Sequence, residues 1–187
     1  MSSRKYGLPA DLGVLRAFIN SVQPEDCPDP LAGPDALDEW CAASSVCQGT
    51  APGEYPRLRA FREALRGVLK VNGGTGDAPS AWASLEPFAR ESSYVMRIDA
   101  TGSPALEPAG LGAERTISGL LAIVYDAMRR GEWSRLKACR KLSCRRAYYD
   151  RSKNGSGAWC SMAVCGNRMK AKRHRLKSLI PSLDCGT

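Results

Sequence analysis

The chain has 187 residues, 43% hydrophobic and 25% charged, which is the composition of a globular protein with room for one sizeable core or two small ones. No stretch approaches the roughly 18 uninterrupted apolar residues of a membrane span, and the opening MSSRKYGLPADLG lacks an apolar run of signal-peptide length, so a soluble cytoplasmic protein is expected. The net charge of +8 is divided unevenly: residues 1–132 carry 13 Lys/Arg against 17 Asp/Glu, and residues 133–187 carry 14 against 2. That asymmetry points the C-terminal part at a polyanion, with a merely solvated basic face as the alternative.

In chain order, Leu12, Leu15, Phe18, Ile19 and Val22 recur at helical spacing, which predicts a helix from Ala10 to Val22 stopped by Pro24. A loop rich in Pro and acid follows, and Pro34 opens a second helix to about Ala43. From Pro56 to Val71, Leu58, Phe61, Leu65, Val68 and Leu69 form one apolar stripe; Arg57, Arg59, Arg62 and Arg66 lie off it, and Asn72-Gly73-Gly74 ends it. Gly73-Gly74-Thr75-Gly76 lacks the lysine of a phosphate-cradling loop and reads as a helix stop. Ala78 to Arg90 is the next helix. SSYVMRID then alternates as a strand, and Thr101-Gly102-Ser103-Pro104 turns it towards a short return at Ala105 to Pro108, giving one hairpin. Glu114 to Arg130 is a further helix, with Ile117, Leu120, Leu121, Val124 and Met128 on one face and Gly131 as its stop. The charge shift beside Gly131 divides the chain into a helical domain at 1–132 and a C-terminal module at 133–187. The fold class is thus mainly α with a small β-hairpin.

Eight cysteines in a chain expected to meet a reducing cytosol favour metal-binding thiolates over disulfides. Cys139 with Cys144, and Cys160 with Cys165, make two C-x4-C pairs separated by 15 residues. Each pair can bend into a knuckle aiming two sulfurs at one point, and four thiolates at about 2.3 Å complete a tetrahedron around Zn2+. With no vacant position for water, such a zinc is structural rather than catalytic. The spacer has room for two short strands with a turn at Lys153-Asn154-Gly155. Four thiolates leave surplus negative charge, which Arg140, Lys141, Arg145, Arg146 and Arg168 are placed to offset. Cys27, Cys41, Cys47 and Cys185 show no such spacing and read as ordinary residues.

Cys165-Gly166-Asn167-Arg168, preceded by Tyr149-Asp150-Arg151-Ser152 and Trp159-Cys160-Ser161-Met162, resembles the CGNR zinc-finger family of bacterial proteins over about residues 139–175. In that family the finger follows a mostly helical ABATE domain described as a stress-induced transcription regulator. Phe18-Ile19-Asn20-Ser21 resembles that domain's F-V-N-T signature, with Ala17 where an acidic residue is common. Physically, Gly166 lets the backbone turn back towards the metal, Asn167 can cap the following helix, and Arg168 can reach a carboxylate. Asp150, the only acid between Trp133 and Asp184, is the expected partner of Arg168. Direct contact of Asn167 and Arg168 with base edges is the alternative.

After Arg168 a helix is expected to about Ile180, with Met169, Leu176 and Ile180 packing on a narrow stripe and Lys170, Lys172, Arg173, Arg175 and Lys177 over the rest. Those cations suit a nucleic-acid backbone, DNA before RNA, and Tyr148, Tyr149 and Trp159 can either stack on bases or pack the finger's small core. His174, the only histidine, reads as a surface residue, and without it no hydrolase triad can be assembled, so no enzyme is expected. Two functions remain open. One is a transcription regulator that binds nucleic acid through the zinc module while the N-terminal domain senses a ligand or assembles; the other is an interaction module docking on an acidic protein. Arg90, Arg97 and Arg115 are candidates for holding a small anionic ligand in the N-terminal domain.

Overall fold

The computed structural model describes residues 7–21 and 49–179; the expected helix at residues 34–43 and Cys27, Cys41, Cys47 and Cys185 lie outside them. Helix α1 (Ala10–Ile19) seals Leu12, Leu15, Phe18 and Ile19 completely from solvent. Its helical geometry stops short of Val22 because Asn20, at the C-cap, turns its amide to a distant strand rather than continuing the coil. Helix α2 (Tyr55–Asn72) starts with Pro56 in its first turn, where a missing N–H costs nothing, and buries the whole expected stripe. Arg62 and Arg66, expected on the solvent side, are buried instead. Their long stems let the guanidinium groups reach backbone and side-chain acceptors across the interface. Arg66 donates to the carbonyls of Ile19 and Arg145 at 2.6 Å each, and Arg62 to Ser21 Oγ at 3.1 Å.

Helix α3 (Ala78–Glu91) is capped by Asp77, whose carboxylate accepts from the Ser80 N–H at 3.1 Å. Strands β1 (Tyr94–Ile98) and β2 (Pro104–Pro108) pair antiparallel in the register Tyr94↔Pro108 to Ile98↔Pro104. Asp99 closes their turn by accepting from the N–H groups of Thr101 and Ser103. Helix α4 (Gly112–Arg129) places Ile117, Leu120 and Val124 against α1 and α2. Phe61 joins the layers, its ring centroid 5.8 Å from that of Phe18 and 5.2 Å from that of Phe88.

The chain then passes a single 3-10 turn, Trp133–Arg135, into strands β3 (Leu136–Ala138) and β4 (Ala147–Tyr149), a second antiparallel hairpin. Leu136, Ala138, Ala147 and Tyr149 belong to the same buried cluster as the helices, so the core continues past the point where the charge changes. Polar clamps hold the join. The Asn20 amide donates to the Ala147 carbonyl and accepts from the Ala147 N–H, each at 2.8 Å, as a neighbouring strand would. Asn72 donates to the carbonyls of Trp133 and Leu136, and Arg140 Nε to that of Gly73 at 2.8 Å. A π-helical turn (Met162–Gly166) runs straight into helix α5 (Asn167–Leu179), which is in contact chiefly with that turn. The protein is mainly α with two small antiparallel hairpins.

Candidate metal centre

The first knuckle is the loop of the β3–β4 hairpin. Pairing of Ala138 with Ala147 and the bond from the Cys139 N–H to the Arg146 carbonyl at 2.9 Å leave Cys139 and Cys144 at the base and tip of one tight turn. Arg145, just after Cys144, has φ 50°, the left-handed conformation that lets the chain double back. The strands thus flank this knuckle. Residues 153–155, expected to turn one strand into another, form a turn with no strand after it.

The second knuckle is the π-helical turn. Ser161 caps it, its hydroxyl accepting from the Val164 N–H at 3.3 Å and its carbonyl from the N–H groups of Cys165 and Gly166. Capping therefore falls to Ser161 and not to Asn167, which lies inside the helical run at φ −66°, ψ −40°. Gly166 is favoured by close approach to the Met162 and Trp159 side chains, its φ not being of the left-handed sign. A Cβ there would collide with the Met162 sulfur and meet Trp159 Cδ1 at 3.2 Å.

The four sulfurs lie within 4.8 Å of one another, with Cys144 to Cys160 at 3.5 Å and Cys160 to Cys165 at 3.7 Å. A tetrahedron with metal–sulfur bonds of about 2.3 Å has edges of about 3.8 Å, so the donor set is already the size that Zn2+ requires. Protonation chemistry agrees. Burial pushes the Cys165 thiol up to about 11, and burial with the neighbouring thiols raises Cys160 well above its ordinary value. Against the pull of burial, the Arg146 N–H and the surrounding thiols hold Cys144 below its ordinary value. Four sulfurs this close cannot all ionise without a cation between them. All four are free thiols, and Cys139, Cys165 and Tyr148 form a small cluster of their own with Cys144, Trp159 and Cys160 packed on it.

Asp150 does not pair with Arg168. Its carboxylate meets Lys137 Nζ at 2.8 Å, with the two side chains 3% and 7% exposed, and also accepts from the N–H groups of Gly157 at 2.7 Å and Ser152 at 3.0 Å. Burial works against the charged form, but Lys137 and those N–H groups outweigh it and hold the carboxyl at about 2. Lys137 also donates to the Gly155 carbonyl, so this ion pair gathers the loop 150–157. Gly157 has no room for a side chain there, since a Cβ would come within 2.7 Å of Asp150 Oδ1. Arg168 is exposed on α5, and the Asp150 carboxylate is already held by Lys137.

Of the cations expected to balance the thiolates, Arg140 and Arg145 are spent on the helical domain, at the Gly73 carbonyl and Glu63 respectively. The Arg146 backbone N–H serves Cys144 directly. Tyr148 is buried with its hydroxyl donating to the Gly157 carbonyl at 2.7 Å, Tyr149 is buried in the main core, and Trp159 is half-buried, so all three pack. On α5, Lys170, Lys172, Arg173 and Arg175 are exposed, as is His174. Lys177 is on the same helix, with its side chain outside the described residues. Met169 is half-buried but Leu176 is 52% exposed, so the expected packing stripe is not used along the helix. In the helical domain Arg90 pairs with Glu86, Arg97 with Glu107, and Arg115 donates to the Pro108 carbonyl; the three do not converge on an anion site.

A helical body joined to a closed four-thiolate centre and a cationic helix defines a zinc-finger protein with a structural metal. The chain belongs to the ABATE family, described as "Putative stress-induced transcription regulator", whose model matches residues 14–128, and it carries a CGNR zinc finger matched over residues 135–178. A search of the curated proteins found no match. Among the described residues no helix is long and apolar enough to cross a membrane.

Proposed function

We propose that this regulator binds nucleic acid, DNA rather than RNA, through α5 held at a fixed position by the zinc centre, while the helical domain senses or assembles. One observation carries the reading: residues 151–179 contain no acidic side chain, and Lys170, Lys172, Arg173 and Arg175 lie exposed along a helix that packs little. Such a surface suits the phosphates of a nucleic-acid backbone. Asn167 and Arg168 are exposed at the start of that helix, which supports a part for them in the contact with nucleic acid.

A second reading, docking on an acidic protein, is supported by exposed apolar tips beside the cations, with Leu142 90%, Met162 50% and Val164 49% exposed. The two differ in a titration of duplex DNA by the zinc-loaded protein. If the five cations from Lys170 to Lys177 neutralise phosphates, log K should fall against log salt with a slope of roughly −4 to −5. Replacing all five by Gln should flatten the slope and leave zinc content unchanged. A folded, zinc-loaded protein with no affinity for duplex or single strands at low salt, but capturing an acidic protein that excess DNA does not displace, refutes the first reading in favour of the second.

A further inference from the structure

The β1–β2 hairpin has two edges of unlike character. The bonds from the Ala109 N–H to the Ser93 carbonyl and from the Asp99 N–H to the Ser103 carbonyl fix the phase of the ladder. By the alternation of an antiparallel pair, Val95 and Arg97 turn their N–H groups towards β2, whereas Tyr94, Met96 and Ile98 turn theirs outward. On β2 the outward positions are Pro104, Leu106 and Pro108, so two of its three outward donors do not exist. That is how an edge is blunted against pairing. The β1 edge has no such protection: YVMRI has no proline, and among the described residues it pairs only with β2.

Among the described residues the apolar face of the same hairpin is largely uncovered. It forms one side of a groove of about 1130 Å3 whose other walls are α3 and α4. Trp82 is 39% exposed there, Met96 65%, Leu106 53%, Tyr125 53% and Met128 40%, and Ile98, 68% exposed, continues the face. These six present on the order of 700 Å2, more than the few hundred Å2 a monomer usually leaves open.

We propose that a second copy of this chain adds its β1 to this edge, antiparallel about a twofold axis at Met96, making a four-stranded sheet. The sequence fits itself in that register. Tyr94 faces Ile98 of the second copy and Met96 faces Met96, so every outward N–H and carbonyl of β1 finds its counterpart and the apolar side chains stay on one face. On the other face each Arg97 stands opposite a Val95 and keeps its own Glu107, so no like charges are directly opposed. A foreign strand would satisfy the backbone of the edge equally, but a second copy also sets Tyr94 beside Ile98 and Met96 beside Met96, apolar cross-strand pairs on one face. The inference deepens the assembling role given above to the helical domain and is independent of nucleic-acid binding, because the measurement needs none.

The test is sedimentation equilibrium of the full zinc-loaded chain without nucleic acid, at tens of micromolar, where a mass near twice 20.2 kDa is expected. Met96→Pro should give a monomer with unchanged helical circular dichroism, because the lost N–H is not used within the hairpin. Ile98→Lys, at an exposed position that cannot disturb the monomer's core, should do the same if the proline variant misfolds. Register is read from mild oxidation. Met96→Cys should form a bond between residues 96 of two chains, mapped by mass spectrometry, because hydrogen-bonded partners have Cα atoms about 5.5 Å apart. Val95→Cys, offset from its own copy by two residues, should not. A monomeric wild-type chain, or a dimer that survives both Met96→Pro and Ile98→Lys, overturns the proposal, and cross-linking at 95 in place of 96 overturns the register.

Discussion

Replacing Asp150 by Ala should be among the most damaging single changes in the C-terminal module. The substitution leaves the Lys137 ammonium, on a side chain 7% exposed, with only the Gly155 carbonyl, and strips the Ser152 and Gly157 N–H groups of their acceptor. Breaking a buried ion pair from one side costs about 3–5 kcal/mol. For a chain of this length each kcal/mol moves the midpoint by about 2–4 °C, so thermal unfolding followed by circular dichroism at saturating zinc should show a fall on the order of 10 °C. Lys137→Met should cost less, since the carboxylate then keeps both N–H donors. The double variant should cost less than the sum of the two, because neither charge is left alone. An Asp150→Ala loss under 1 kcal/mol would refute the buried-pair argument. So would a cycle in which Arg168→Ala, rather than Lys137→Met, is non-additive with Asp150→Ala.

Cys144→Ser should reduce zinc from about one per chain to near none by metal analysis and expose residues 139–179 to proteolysis. The far-ultraviolet signal of α1 to α4 should largely persist, since their core does not include the sulfurs. Asn20→Ala should cost about 1–3 kcal/mol by leaving the Ala147 N–H and carbonyl without partners. Hydrogen exchange at Ala147 should speed up while zinc stoichiometry stays the same, and an unchanged exchange rate would show that the clamp bears no strain.

The helices are legible because their apolar residues recur every three or four positions: the sets from Leu12 to Ile19, Leu58 to Leu69 and Ile117 to Val124 lie in the core, whereas Met128, expected on the last of these faces, is 40% exposed and Val22 lies outside the described residues. The cysteine spacing was legible for a related reason: two equal pairs bend in the same way and so arrive at one point. Partners of polar groups were not. Elimination of other acids points Asp150 to Arg168, whereas the hairpin brings Lys137 to it instead. Lys137 stands two residues before Cys139, opposite Tyr148 in the ladder, and a strand assignment at Leu136–Ala138 would have put it beside the turn after Asp150. Arg62 and Arg66 misled in the same way, since charge off the apolar stripe reads as solvent-facing unless the buried carbonyls they serve are already known. Asn20 carried a visible sign, the F-I-N-S motif, whose meaning is the strand-like bond to a residue 127 positions away.

That long-range clamp bears on how zinc stability is shared. Strands β3 and β4 are held by the main core, by Asn20, by Asn72 and by Arg66, none of which needs the metal. One knuckle is therefore the loop of a hairpin fixed from outside, and closing it around Zn2+ costs little further chain entropy. Among the described residues the second knuckle has less support: its turn leans on Trp159, the sulfurs and the cap at Ser161, and α5 is in contact chiefly with the turn. Removal of zinc should then act unequally, leaving Cys139 and Cys144 near their places and releasing Cys160, Cys165 and the cationic helix behind them. The metal's contribution is thus concentrated on the position of α5, a helix with exposed cations that among the described residues is in contact chiefly with that turn.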